Sequence, residues 1–205
     1  MSRKSEAKNR YSTIYPRCVL SRLNISLVNQ ERKVALYLST QRLNLIELNA
    51  EALIDDVLIA AIPSILTEAV VASLPPYFHG VSNGAEAKSW LSKMRSESRL
   101  FVIKDKGDAC LGFVFVSNTE KAEKHIGYLL AQEYWGKGFA SQLLHAFIKR
   151  AEQIESWQSL VGGVDKGNLA SANLLLKLGF IPRENEHENV DFFEYVLKKG
   201  SLTCV

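Results

Sequence analysis

Apolar and polar positions alternate along QRLNLIEL (41–48), the period of two that sends successive side chains to opposite faces of a strand. The next stretch, NAEALIDDVLIAA, changes to helical spacing, and its Asn-Ala-Glu opening suits a cap and an acidic first turn. IPSILTEAVVASL predicts a second helix. PPYFHGVSNG breaks the chain, and AEAKSWLSKMRSE predicts a third helix. SRLFVIKD and ACLGFVFVSN read as paired strands with KGD as the turn between them, and KHIGYLL reads as one more strand. That strand runs into a segment with Gly136 and Gly138 two apart and Ala140 two further on. Beyond it Leu143, Leu144, Phe147, Ile148, Ala151 and Ile154 recur at three- and four-residue spacing, one apolar face on a helix of about four turns. Upstream, Val19–Leu38 holds two apolar runs, NISLV and VALYL, that fit either an added strand or a segment packed on the body.

Composition narrows the class. With 205 residues, 47% hydrophobic and 23% charged, the chain fits one compact domain with an extension. The apolar runs are too short and interrupted for a bilayer, so a soluble protein without membrane contact is expected. Cys18, Cys110 and Cys204 are odd in number and far apart, which argues against a disulfide framework or a structural metal and favours a reducing cytoplasm. Charge divides the chain: residues 1–36 carry eight Lys and Arg against two Asp and Glu, a surplus of +6 in a chain whose net is +3. The expected organisation is a basic extension over 1–36, solvated or packed on the body, and a single domain over 37–205. A contact with nucleic acid or the ribosome is the functional alternative for the extension, and a transit peptide fits its Arg-rich, acid-poor start.

The glycine segment carries the chemistry. Strand, short Gly loop and helix N-terminus in that order present first-turn amides that lack helical partners, so an anion can bind without a side-chain cage. Small residues at Gly136, Gly138 and Ala140 allow close approach. A P-loop is excluded because no GxxxxGK followed by Ser or Thr occurs. A dinucleotide fingerprint is disfavoured, since GKGFAS puts Ser141 at the third glycine position and no acidic residue follows where a ribose needs one. An ordinary tight connection between strand and helix remains open on the loop alone.

Trp135-Gly136-Lys137-Gly138-Phe139-Ala140 resembles the acyl-CoA loop Q/R-x-x-G-x-G/A of the GNAT N-acetyltransferases, with Trp135 where Gln or Arg is usual. The run EYWGKGFA, and the opening Thr40-Gln41-Arg42-Leu43-Asn44-Leu45, are similar to the branch that holds the ribosomal-protein N-terminal acetyltransferases. NLASANLLLKLGF is similar to that family's N-x-x-S-x-x-x-x-x-K-x-G-F. The likeness covers roughly residues 39 to 198. It implies a mixed α/β domain of α+β type: a central, mostly antiparallel twisted sheet flanked by helices, with splayed strands forming an acyl-CoA cleft. It also implies an acetyl-CoA-dependent N-acetyltransferase. Leu129 and Leu130 would offer backbone groups to a pantetheine arm. The amides of Trp135, Gly136, Lys137, Gly138, Phe139, Ala140 and Ser141 would hold the pyrophosphate, with the Lys137 charge nearby. Asn168 would cap the next helix and reach the same arm.

Many relatives carry a proton-donating tyrosine at the position of Leu175, which this chain lacks. Ser171, one turn earlier, is the replacement donor that the resemblance offers. Candidates for the base are Glu123, His125 and Glu133, and His79, Tyr77 and Phe78 fall where the family builds its acceptor pocket. The absence of a Cys from the motifs favours direct transfer from acetyl-CoA to a primary amine over a covalent enzyme intermediate. A protein or peptide N-terminus is the expected acceptor. Polyamines, aminoglycosides and a non-catalytic acyl-CoA-binding module are the alternatives. No metal is expected, and oligomeric state is not legible.

Overall fold

A computed structural model of the protein describes residues 35–49, 54–184 and 188–198. Among the described residues eight strands form one sheet in the order β1-β2-β3-β4-β5-β6-β8-β7. They are β1 (Ala35–Ser39), β2 (Leu43–Glu47), β3 (Ser98–Asp105), β4 (Cys110–Ser117), β5 (Glu123–Leu130), β6 (Ser159–Asp165), β7 (Ile181–Arg183) and β8 (Val190–Val196). All neighbours are antiparallel except β5 and β6. The VALYL run thus supplies β1, the outermost strand among the described residues, which begins at Ala35, just inside the segment assigned to the extension; the rest of that segment lies outside the described residues.

The helices are α1 (Asp56–Ile65), α2 (Glu68–Val71), α3 (Gly84–Glu97), α4 (Phe139–Ile154) and α5 (Leu169–Lys177). Strand alternation gives the sheet two apolar faces. Leu100, Val102, Phe113 and Phe115 pack with α1, α2 and α3. Phe101, Ile103, Val114 and Val116 pack with Leu143, Leu144, Phe147 and Ile148 of α4. Phe78 belongs to the first core, 1% exposed and edge-on to Phe115. Ile154, assigned by spacing to the apolar face of α4, is 49% exposed at the end of that helix.

Two boundaries differ from the pattern. The first helix is capped by Asp55, whose carboxylate accepts from the Leu58 amide; the Asn-Ala-Glu opening falls partly outside the described residues. The helix also continues through Pro63 to Ile65. Proline that late removes one helical hydrogen bond, a cost of about 3 kcal/mol in a helix interior. Ile59, Ile62 and Ile65 are all buried on that helix, and each contributes about 1.5–3 kcal/mol, so the burial outweighs the lost bond. What remains of the expected second helix is the single turn α2.

The β3–β4 register shifts between Ile103 and Lys104, opposite Cys110–Gly112. The extra residue turns Leu111 onto the α4 face with Val114. Gly112 is needed there, because a Cβ would lie 2.1 Å from the Leu129 carbonyl oxygen across the ladder.

Candidate active site

Parallel β5 and β6 are joined through α4, and their ladder is short: Glu123–His125 pairs with Ser159–Val161 and stops. Ile126–Leu130 keeps its pairing to β4 only. The two strands therefore separate towards the carboxyl end of β5, where an open sheet places ligands. A cavity of about 520 Å³ occupies this V. Its walls include Leu129, Leu130, Trp135, Gly136, Gly138, Phe139, Ala140, Ser141, Asn168 and Ser171, so the structure brings together all the expected site residues except Lys137. A narrower cavity of about 70 Å³ extends between β5 and β6 and shares Tyr128, Asn168 and Ser171 with the first.

At the wide end Gly136 and Gly138 are left-handed, with φ of 71° and 76°. Gly138 is the N-cap of α4 and no side chain caps the helix. The first helical bond runs from the Gln142 amide to the Gly138 carbonyl at 3.1 Å. The amides of Phe139, Ala140 and Ser141 precede it, and all three residues line the cavity, an arrangement suited to a pyrophosphate.

A residue quoted only as part of a strand motif braces this loop. Arg42, just before β2, donates from Nη1 to the Lys137 carbonyl at 3.1 Å and from Nε to Gln142 Oε1 at 2.7 Å. Its guanidinium lies 4.3 Å from the centre of the Phe139 ring. Lys137 thus enters the site through its carbonyl. The partners are about a hundred positions apart, so no local pattern could reveal them.

The backbone of β5 divides its groups. The Ala131 amide donates to the Leu111 carbonyl, and antiparallel pairs alternate from there, so Leu129 faces β4 and Tyr128 and Leu130 face the V. The Leu129 carbonyl is turned to Gly112, and its side chain is buried in the first core. The Leu130 carbonyl already accepts from the Trp135 indole at 2.8 Å, which pins the start of the loop to the strand. The expectation of two free backbones thus narrows to the outward groups of Tyr128 and the Leu130 amide.

At the narrow end Asn168 Oδ1 accepts from the Ser171 amide at 3.1 Å and caps α5. Ser171 Oγ and Tyr128 Oη are 2.7 Å apart. Burial raises the Tyr128 phenol above its ordinary pKa, and the Ser171 hydrogen bond opposes that shift. Leu175 is 2% exposed and packs against Gly162 of β6. Asp165 is the one carboxylate among the described walls of either cavity.

The candidate bases sit elsewhere. Glu123 holds Arg183 at 2.7 Å, and His125 lies 3.7 Å from Glu123 at the paired end of β5. Desolvation lowers the His125 pKa, the Glu123 carboxylate opposing. Glu133 lines a separate shallow cleft with Ser64 and Gln132. His79 Nε2 is 3.1 Å from the Leu74 carbonyl, and Tyr77 stacks under Lys93. From that segment Ser73 and Leu74 reach both cavities instead.

No curated protein sequence matches the chain. Among solved structures it is similar to a RimL ribosomal-protein alpha-N-acetyltransferase in complex with coenzyme A, at 16% identity over 81% of this chain and 100% of that one, with a TM-score of 0.66. It is also similar to spermidine N-acetyltransferase from Vibrio cholerae in complex with CoA and spermine, at 17% identity over 78% and 98%, TM-score 0.63. The microcin self-immunity acetyltransferase MccE, in complex with acetyl-CoA and AMP, matches at 15% identity over 77% and 93%, TM-score 0.60. At these identities the likeness establishes the fold. A family model for the acetyltransferase (GNAT) domain matches residues 42–181, from Arg42 through the loop, Asn168 and Ser171 to β7, and the chain belongs to that acetyltransferase family.

Proposed function

We propose that this acetyltransferase transfers the acetyl group of acetyl-CoA directly to the α-amine of a protein or peptide. The observation that carries the reading is the V-shaped cleft of two adjoining cavities, with the uncapped amides of α4 at its wide end and the Tyr128–Ser171 hydroxyls where the cavities meet. Pyrophosphate at the first entrance and thioester at the second would be spanned by a pantetheine arm along the outward edge of β5, added like a strand. The neutral amine attacks the thioester carbonyl; the C–N bond forms, the C–S bond breaks and its electron pair leaves on sulfur. Ser171 is the group here within reach of that sulfur.

An acceptor with one ammonium suits the described walls, where Asp165 is the single carboxylate. Polyamines and aminoglycosides carry several cationic amines and need several partners. Similarity to a RimL enzyme supports the same preference, whereas the spermidine enzyme keeps small amines in the test. Thiol release from acetyl-CoA, measured against N-terminal peptides, polyamines and aminoglycosides beside a calorimetric CoA titration, decides among them. Turnover with peptides alone is expected. Turnover with polyamines alone would replace the acceptor, and CoA binding without any turnover would favour a non-catalytic acyl-CoA-binding module. The basic surplus over residues 1–36 supports a ribosome contact. Its removal is expected to abolish co-sedimentation with ribosomes and leave turnover on free peptides unchanged, and retained co-sedimentation would sink that part.

A further inference from the structure

Resting on the reading above, we infer that Tyr128 is the proton source for the departing thiolate, acting through Ser171. Oη and Oγ are 2.7 Å apart, either can donate, and both residues line the apex where the two cavities meet. The position from which relatives present a tyrosine is closed in this chain: Leu175 is buried, and a Cβ on the facing Gly162 would lie 2.8 Å from its Cδ1. The phenol instead comes from the strand on the opposite side of the cleft.

Chemistry favours a pair over the serine alone. A free thiol titrates near 8.5 and a free tyrosine near 10, so a phenol gives up a proton to a thiolate far more readily than an aliphatic hydroxyl does, at a cost that burial of Tyr128 raises. An aliphatic hydroxyl is a far weaker acid and serves as a relay, losing one proton only as it gains another. In the balanced step the sulfur takes the Ser171 proton, Ser171 takes the Tyr128 proton, and solvent restores the phenol with an equivalent of the proton that the acylated nitrogen releases. Ser171 touches the sulfur and is the catalytic residue; Tyr128 supplies and positions its proton. A phenol is protonated through the neutral range at its ordinary pKa, and burial, which raises the Tyr128 value, does not change that.

The test uses the full chain with Tyr128→Phe, which keeps the ring. Two readouts are taken: kcat with the best acceptor, and the pKa of the bound CoA thiol followed by thiolate ultraviolet absorbance. Tyr128→Phe is expected to lower kcat roughly 10- to 100-fold, the lower part of the range for acid–base groups, with CoA affinity within about twofold. The bound thiol is expected to titrate higher in the variant, because Ser171, the donor to the thiolate, has lost the phenol that polarises and orients its hydroxyl. Ser171→Ala is expected to cost a similar factor, and the double variant little more than either, as for groups acting in series. An unshifted thiol pKa in a variant that still binds CoA overturns this inference alone, and so does independent, multiplicative loss in the double variant. Failure of the unmodified protein to bind CoA overturns the proposed function and this inference with it.

Discussion

Single side chains decide how rigid the phosphate loop is. Arg42 holds it by two hydrogen bonds and a ring contact, all dependent on a planar guanidinium. Arg42→Lys keeps the charge and loses the fork. The expected result is a CoA affinity about 10-fold weaker, on the order of one charged hydrogen bond, with kcat at saturating acetyl-CoA changed little; calorimetry and a KM–kcat separation check it. His125 shows where residue-level reading ends. Sequence places it on the strand that feeds the cleft, but strand divergence begins after it, so it meets Phe192 edge-on in place of substrate. Its folded pKa is lowered by burial, so the unfolded chain binds more protons below pH ~6.5 and folding stability falls as the pH drops. His125→Phe is expected to flatten the decline of Tm between pH 7 and 5, measured by calorimetric melting. An unchanged slope would mean that other groups dominate acid sensitivity.

At the scale of elements the loop was the most legible part, because its requirement is local: two left-handed positions before a helix call for glycine. The strand boundaries of β3 were legible for the same reason, with SRLFVIKD coinciding with Ser98–Asp105. The division between NAEALIDDVLIAA and IPSILTEAVVASL falls inside α1, which runs on through Pro63 because the burial that holds Ile62 and Ile65 comes from the sheet and is not local. The outward facing of Tyr128, and its meeting with Ser171 from 43 residues away, depend on register and crossover, which local spacing does not encode. The loop offers a discriminating pair of variants. A Cβ at Gly138 has room, with Arg42 Nη2 at 3.7 Å as its nearest neighbour, so conformation is the main obstacle. Gly138→Val forces a β-branched residue to a φ of 76°, whereas Asn tolerates that region. Gly138→Asn is expected to fold nearly as well as the parent, and Gly138→Val to lose CoA binding and about 1–3 kcal/mol of stability. Equal CoA affinity in both variants and the parent would show that the pyrophosphate does not pass there. Asn168→Ala, which removes the α5 cap, is expected to cost about 1 kcal/mol and to lower kcat by loosening Ser171.

Across the whole molecule, the wall of the V must stay fixed while the cleft takes up ligand, and a charged cluster far from the site joins the elements that carry it. Arg99 of β3 binds Glu47 of β2 at 2.8 Å and Glu155 at the end of α4 at 3.0 Å. Tyr37 of β1 donates to the same Glu155 oxygen at 3.1 Å. The guanidinium also lies over Phe101 and Trp157. Arg99→Met would leave two carboxylates without their shared cation. Loss of one partner from a fully buried pair costs 3–5 kcal/mol, and with the Arg99 side chain 28% exposed the expected loss is about 1–3 kcal/mol. Alkaline pH tests the cluster from the other side. The Tyr37 pKa is raised, first by burial and then by the Glu155 carboxylate. A folded pKa above the unfolded value near 10 means that the native state holds its proton longer, so this contribution is complete below pH ~10 and is lost as the pH rises beyond it. Equilibrium urea unfolding between pH 8 and about 11 is expected to show stability falling only in the upper part of that window, and falling less steeply in Tyr37→Phe. Parallel curves for parent and variant would remove Tyr37 from the account and leave Arg99 as the group that holds Glu155, beside the apolar packing of α4 on the sheet.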